Sequence, residues 1–294
     1  VKGEQVVGEG WHVQAGEGHA EVNALAQAGE QARGATAYVT LEPCSHVGKT
    51  PPCADALIAA GVSRVVAAMQ DPNPLVAGNG LQRLRDAGIE VTCGLLEEQA
   101  RELNPGFIKR MQLGLPWVRV KLAMSLDGRT AMASGESKWI TGPAARADVQ
   151  RLRARSGAVI SGADSVLLDD SALTVRASEL GLSDEEASAA VQRQPLRVLI
   201  DSLRRVPLEQ RFFRESGPTL VISTSAEQAA ESYQSIGSEL LALPGDDGKV
   251  DLPTVLRTLA ERGCNEVLVE AGAALSGAFW RAGLVDELIV YMAP

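Results

Sequence analysis

Ala37-Tyr38-Val39-Thr40-Leu41-Glu42-Pro43-Cys44 decides the fold of the first part of the chain. Its first half is rich in β-favouring residues and reads as a strand. Pro43 carries no amide hydrogen, so strand pairing stops there and the chain turns toward a helix expected over 52–60 and closed by Gly61. Upstream, 20–28 reads as a helix that starts beside His19, and 6–10 as a strand leaving a turn. Downstream come a strand over 65–68, a loop at Asp71-Pro72-Asn73-Pro74, a helix over 81–87 closed by Gly88, and a strand over 90–93. Strands alternating with helices imply an α/β sandwich with a largely parallel sheet.

His19-Ala20-Glu21 precedes this turn and Cys53 follows it. One His and two Cys form a zinc-ligand set, and catalytic zinc takes three protein ligands with a fourth position left for water. In nucleobase deaminases a Glu two residues after the His is no ligand and moves protons. His19, Cys44 and Cys53 are therefore candidate metal ligands, and Glu21 the candidate acid–base residue for hydrolysing an amino group off a heteroaromatic ring. The usual signature is Pro-Cys-x-x-Cys; here Ser45-His46-Val47-Gly48-Lys49-Thr50-Pro51-Pro52 intervenes. Taken singly, His19 reads as a structural residue and Glu21 as a solvated one. The ordered set, with Pro43 before Cys44, favours zinc. His19 and Cys53 fall at helix starts, where partial positive charge favours a thiolate.

A length of 294 residues makes two domains the default expectation. The net charge of −9 argues against nucleic-acid binding, yet leaves room for a basic pocket that takes one phosphate. The sequence has no run of about 18 apolar residues and no signal peptide, so no membrane span is expected. Of four cysteines, two are assigned to metal, which leaves no disulfide framework. Cys93 and Cys264 read as buried small apolar residues. A reducing cytoplasm fits all of this.

A polar helical stretch over 97–110 leads to a boundary at Leu113-Gly114-Leu115-Pro116, giving domains 1–114 and 115–294. The second again alternates: strands over 117–124, 158–161, 196–201, 219–223, 266–270 and 288–291, helices over 143–155, 252–262 and 273–282. The acidic, Ala/Ser-rich 180–193 reads as a surface insertion. No Gly-x-Gly-x-x-Gly follows a strand, so a Rossmann dinucleotide site is not supported. Two glycine-containing turns do lie just past strand ends, Gly162-Ala163-Asp164-Ser165 and Glu270-Ala271-Gly272-Ala273-Ala274-Leu275-Ser276-Gly277. The second opens a helix whose free N–H groups suit a pyrophosphate. Each also reads as a plain strand-to-helix turn, and Asp169-Asp170 with Arg176 as a salt-bridged loop.

Taken together these stretches resemble the bifunctional riboflavin-biosynthesis deaminase/reductase family. The resemblance is carried by His19-Ala20-Glu21-Val22, by Leu41 to Cys53 with that family's own cysteine spacing, and by Gln70-Asp71-Pro72-Asn73-Pro74. In the second half it is carried by Ser125-Leu126-Asp127-Gly128-Arg129-Thr130-Ala131, Trp139-Ile140-Thr141-Gly142, Asp169-Asp170 with Ala172-Leu173-Thr174-Val175-Arg176, and Val269-Glu270-Ala271-Gly272. It implies a cytidine-deaminase-like three-layer α/β/α domain followed by a dihydrofolate-reductase-like α/β domain, with Zn2+ and NADPH as cofactors. A diaminated ribosylaminopyrimidinone 5′-phosphate would lose its ring amino group, and the ribosyl group would then be reduced to ribityl. His12, Lys49 and Asn73 would contact the first substrate. Ser137, Arg153, Leu173, Arg176 and Glu270 would contact the second. Ala123, Trp139, Ser165, Asp169, Ser202 and the turn from Gly272 to Gly277 would hold NADPH. Arg153 and Arg176 suit phosphate, since a guanidinium can bind it bidentately. Lys121 is either pocket lining or a surface lysine at a strand end. The family's Pro after Gly272 is replaced here by Ala273.

Both ends read as cut, with the family's upstream helix, its Asn-containing loop and its last strands expected outside this piece. A nucleic-acid editing deaminase is a competing reading, opposed by the acidic balance. A structural zinc domain with His46 as fourth ligand is another, and a degenerate domain a third. Closed homo-oligomers are common among such enzymes, so a homo-oligomer without nucleic-acid or membrane partners is expected.

Overall fold

The computed structural model describes residues 1–14, 16–48, 50–132, 140–227 and 229–293. They divide into two units, Val1–Gln112 and Leu113–Pro294.

In the first unit β1 (Thr36–Val39), β2 (Arg64–Ala67) and β3 (Glu90–Cys93) form a parallel sheet in that order. Parallel neighbours need a crossover, and α2 (Cys53–Ala60) and α3 (Asn79–Asp86) supply them, while α1 (Ala20–Ala28) precedes β1. Ala54 and Leu57 of α2, Val65 of β2, Leu84 of α3 and Ile89 make the core. Gly61 ends α2 in the left-handed region at φ 70°, a backbone state that glycine adopts without Cβ strain. The polar helical stretch divides at Asn104 into α4 (Glu97–Leu103) and α5 (Pro105–Leu113), because Pro105 cannot continue a helix.

Two readings of this unit need correction. Residues 6–10 are not a strand. They run against α1 so closely that a Cβ at Gly8 would meet the Ala24 carbonyl at 2.3 Å, and one at Gly10 the Ala24 nitrogen at 2.6 Å. Cys93 is exposed, because β3 is an edge strand, whereas Cys264 is buried as expected.

In the second unit β4 (Trp117–Ser125), β5 (Ala158–Gly162), β6 (Leu196–Ile200), β7 (Thr219–Ser223), β8 (Ser238–Ala242), β9 (Glu266–Glu270) and β10 (Glu287–Ala293) form one sheet. Its order is β10-β4-β9-β5-β6-β7-β8, parallel throughout. Buried strands alternate their side chains between two covered faces. Ile160, Val198, Ile222 and Val269 face α11 (Leu252–Glu261) and α12 (Ala273–Arg281) through Leu256, Leu259 and Phe279. Val159, Leu199, Val221 and Leu268 face α6 (Pro143–Arg155), α7 (Ala163–Asp169), α9 (Arg211–Arg214) and α10 (Ala230–Ser235) through Leu152, Val166, Phe212 and Tyr233. The acidic 180–193 insertion is not plain surface: it contains α8 (Asp184–Gln192), started by a Ser183/Glu186 capping box and seated on a small core of Val175, Leu180 and Ala187. No helix among the described residues is long and apolar enough to cross a membrane.

β9 returns between β4 and β5 after the chain has moved outward to β8, so the strand order reverses there. The crevice past the carboxyl ends of strands at such a reversal is where open α/β sheets bind ligands.

Candidate functional site

In the first unit, His19 caps α1 and Cys53 is the first residue of α2. Cys44 lies on the turn after β1, where its carbonyl accepts from Ala54 N at 3.1 Å and its Sγ from Cys53 N at 3.3 Å. The start of α2 is thus folded over the Cys44 side chain. His19 Nδ1 lies 3.6 Å from Cys44 Sγ and 3.2 Å from Cys53 Sγ. The three donor atoms all lie within 4.8 Å of one another. A tetrahedral zinc with bonds of about 2.0–2.3 Å separates its ligand atoms by roughly 3.5–3.8 Å, so the donor set fits that ion. Among the described residues this cluster has three members, and His46 is not one of them. That is the open, three-ligand arrangement of a catalytic site rather than a closed structural one.

The charges agree. A hydrogen bond from Cys53 holds the Cys44 thiol down, to about 5, with further help from the Cys53 backbone and His19. The same bond and burial push the Cys53 thiol up. Burial raises the Glu21 carboxyl above its ordinary value against the pull of backbone and Cys53 hydrogen bonds. A raised carboxyl pKa is the direction that suits a group which must both take and return a proton.

The pocket over these residues has a volume of about 210 Å³ and is lined by His12, Gly16, His19, Cys44, His46, Gly48 and Thr50. His12 meets the His19 ring edge-on at 5.1 Å, and its Nδ1 donates to the Gly18 carbonyl at 3.2 Å. His46, weighed from sequence only as a fourth ligand, lines the pocket instead. Lys49 lies outside the described residues.

Glu42 was missed. The sequence reading gave it no role, yet it is 3% exposed. Its Oε2 accepts from Asp71 N and Gly78 N, its Oε1 from Gly80 N and Leu81 N, at 2.8–3.3 Å. The carboxylate thereby caps α3 from another element and fastens the 71–81 loop, which carries Asn73, to the turn that carries Cys44. Its place directly before Pro43-Cys44 was the available signal. Gly80 makes the approach possible, since a Cβ there would fall 1.9 Å from the Pro43 carbonyl oxygen. Gly80→Ala is expected to destabilise this unit by about 1–3 kcal/mol, the range for overpacking, and to weaken zinc retention. Denaturant unfolding and chelator competition check both.

In the second unit the sequence-derived residues gather past the strand ends. Ala123 lies near the end of β4, Ser165 and Asp169 on α7, Ser202 just after β6, Glu270 at the end of β9, and Gly272 at the cap of α12. Gly272 N donates to Ser165 Oγ at 3.0 Å, joining the loops after β9 and β5. The α12 helix then opens with backbone N–H groups that have no partner within the helix, a donor set that fits a dinucleotide pyrophosphate. Gly277 lies within α12. Ser137 and Trp139 lie outside the described residues.

The Arg153 guanidinium grips Glu270 bidentately, at 2.5 and 2.9 Å, and gives a third donor to the Thr174 carbonyl at 3.0 Å. Burial alone would push the Glu270 carboxyl up, but Arg153, with Lys121 and Arg176, holds it below its usual range. Lys121 is mostly buried, 3.9 Å from Glu270, so it is not a plain surface lysine. Arg176 does not pair with Asp169-Asp170: it bridges Glu179 at 2.7 Å through two nitrogens, because the intervening turn is a short 3-10 helix that brings Glu179 back to it. Asp170 instead accepts from Arg211 N at 3.2 Å.

Both parts of the chain match known families. Residues 1–69 match the zinc-binding region of cytidine and deoxycytidylate deaminases, and residues 116–294 match the RibD C-terminal domain. The riboflavin biosynthesis protein RibD of Escherichia coli is 55% identical over 298 residues, covering 100% of this chain and 80% of that protein. The RibD of Haemophilus influenzae is 52% identical over 295 residues, covering 100% and 78%. Among solved structures, Acinetobacter baumannii RibD aligns with a TM-score of 0.90 at 52% identity, covering 100% of this chain and 78% of that one. A Thermotoga maritima diaminohydroxyphosphoribosylaminopyrimidine deaminase/5-amino-6-(5-phosphoribosylamino)uracil reductase aligns at 0.82 with 35% identity, covering 99% and 78%.

Proposed function

The chain belongs to the RibD family of bifunctional riboflavin-biosynthesis enzymes, which join a zinc-dependent deaminase to a reductase, and from that premise we propose how its residues divide the work. Residues 1–114 deaminate and 115–294 reduce. The first substrate is the diaminated ribosylaminopyrimidinone 5′-phosphate. The convergence of His19, Cys44 and Cys53 beside Glu21 carries this reading.

Those three residues would hold the zinc, which when bound would lower the pKa of a water toward neutral. Glu21 takes the proton of the attacking water and delivers it to the ring and the departing ammonia. His12 and Asn73 orient the pyrimidine, and Lys49 meets its phosphate as a charge partner.

In the second step bound NADPH would supply the hydride chemistry, and the protein's part is orientation. Ala123, Trp139, Ser165, Asp169, Ser202 and the turn from Gly272 to Gly277 hold the cofactor. Ser137, Leu173, Arg176 and Glu270 hold the ribosyl phosphate, and Arg153 keeps Glu270 ionised and aimed. Lys121, Arg153 and Arg176 face Glu270 and Glu179, which leaves one positive charge for a phosphate. Of the two guanidiniums, Arg176 exchanges its partner more readily, since its pair with Glu179 is a third exposed while Arg153 is nearly buried. The enzyme works in the cytoplasm as a homo-oligomer.

A staged assay on the zinc-loaded chain tests the reading. Ammonia release is followed without NADPH, and NADPH absorbance is followed after its addition. Ammonia first and NADPH oxidation second are the expected results. NADPH oxidation before any ammonia appears would reverse the assigned order. Silence in both stages would remove the assignment.

A further inference from the structure

Residues 172–176 form neither strand nor helix, yet Ala172, Leu173, Thr174 and Val175 are all buried. Buried backbone groups need partners, and here side chains from three other segments supply them. Arg197 on β6 donates to the Ala172 carbonyl at 3.2 Å, and Arg153 on α6 to the Thr174 carbonyl. The Gln194 amide takes both polar groups of Val175: its Oε1 accepts from Val175 N at 2.9 Å and its Nε2 donates to the Val175 carbonyl at 3.0 Å. Gln150 on α6 accepts from Arg176 N at 3.0 Å. Leu173 sits in the left-handed region at φ 57°, a state that a leucine holds only when its surroundings impose it.

Arg197 ties this segment to a second one, and Gln194 ties it to α8, its Nε2 also donating to the Val191 carbonyl at 3.4 Å. Arg197 is wholly buried, and its hydrogen-bond partners are carbonyls of Ala172, Phe212, Glu215, Ser216 and Gly217 rather than a carboxylate. Gln194 lies between α8 and β6, so the 180–193 insertion delivers it to the segment. Val175 in turn belongs to the small core under α8.

We propose that Gln194, with Gln150 and Arg197, is a positioning residue of the reductase step, and that the α8 insertion braces the 172–176 segment so that Leu173 and Arg176 meet the ribosyl phosphate. This rests on the assignment of Leu173 and Arg176 to that substrate. A carboxylate in place of the Gln194 amide keeps the bond to Val175 N and turns the bond to the Val175 carbonyl into repulsion. The segment then loosens at the substrate and not at the cofactor.

The experiment is steady-state reduction of the pre-deaminated ribosyl phosphate by full-chain Gln194→Glu, Gln150→Leu and Arg176→Gln, with KM measured separately for that substrate and for NADPH. Loss of one such hydrogen bond corresponds to about a tenfold rise in KM for the ribosyl substrate, with KM for NADPH unchanged, in both glutamine variants. Because they act from different elements, failure of one to fold leaves the other as the test. If Arg176→Gln raises the substrate KM and neither glutamine variant does, the brace is overturned and the substrate assignment stands. If Arg176→Gln leaves it unchanged, the assignment falls and the brace with it. A joint rise of both KM values in the glutamine variants would mean general loosening and would also overturn the brace.

Discussion

Glu21→Gln is expected to lower ammonia release by about 10²–10⁴-fold, the contribution of a positioned general acid–base group, while zinc content and NADPH oxidation on pre-deaminated substrate stay unchanged. The amide has the size of the carboxyl and cannot carry a proton from water to the ring. Glu21 is suited to that transfer because burial raises its pKa, and the hydrogen bonds from its backbone and from Cys53 only partly oppose this. It is not a ligand: the donor cluster is His19, Cys44 and Cys53. Zinc per chain, ammonia release and NADPH oxidation measured on one preparation decide the matter. Ammonia release at the parent rate would make the metal site a scaffold and Glu21 a bystander.

The metal site was legible because its chemistry is local. His19, Glu21 and Cys44 sit at helix starts and strand ends that proline, glycine and apolar runs announce within a few residues. The strands of the second unit were legible for a similar reason, as runs such as Val198-Leu199-Ile200 are buried on both faces. What escaped depends on which distant segment packs where. Cys93 looked apolar, and only the strand order makes β3 an edge. Glu42 was given no role, and only the return of the 71–81 loop supplies its four donors. Gln194 lay next to a stretch read as surface, and nothing near it in sequence announces that its amide completes Val175. Arg153 and Glu270 were each singled out by resemblance to a family. Their pairing across 117 positions follows from α6 packing beside β9.

That pair gives the second large effect. Arg153→Met is expected to cost about 3–5 kcal/mol of stability, the range for breaking a buried ion pair, and to abolish NADPH oxidation. Methionine fills much of the space but leaves the Glu270 carboxylate at 7% side-chain exposure with Lys121, 3.9 Å away, as its remaining close cation. The pH dependence has a fixed sign. Arg153 holds the folded-state pKa of Glu270 below its ordinary value, so the stability that this contributes is complete above the unfolded carboxylate pKa and is lost as pH falls through the folded one. The gap between parent and variant is therefore widest near neutral pH and narrows on acidification. Removing both charges separates stability from chemistry. Arg153→Met with Glu270→Leu leaves no stranded carboxylate, and replacing a buried pair by apolar groups is often neutral. The double variant should regain most of the lost stability and none of the reductase activity. Denaturant unfolding across pH, beside NADPH oxidation, reads both quantities. A double variant as unstable as the single one would show that the pair holds the fold rather than the substrate.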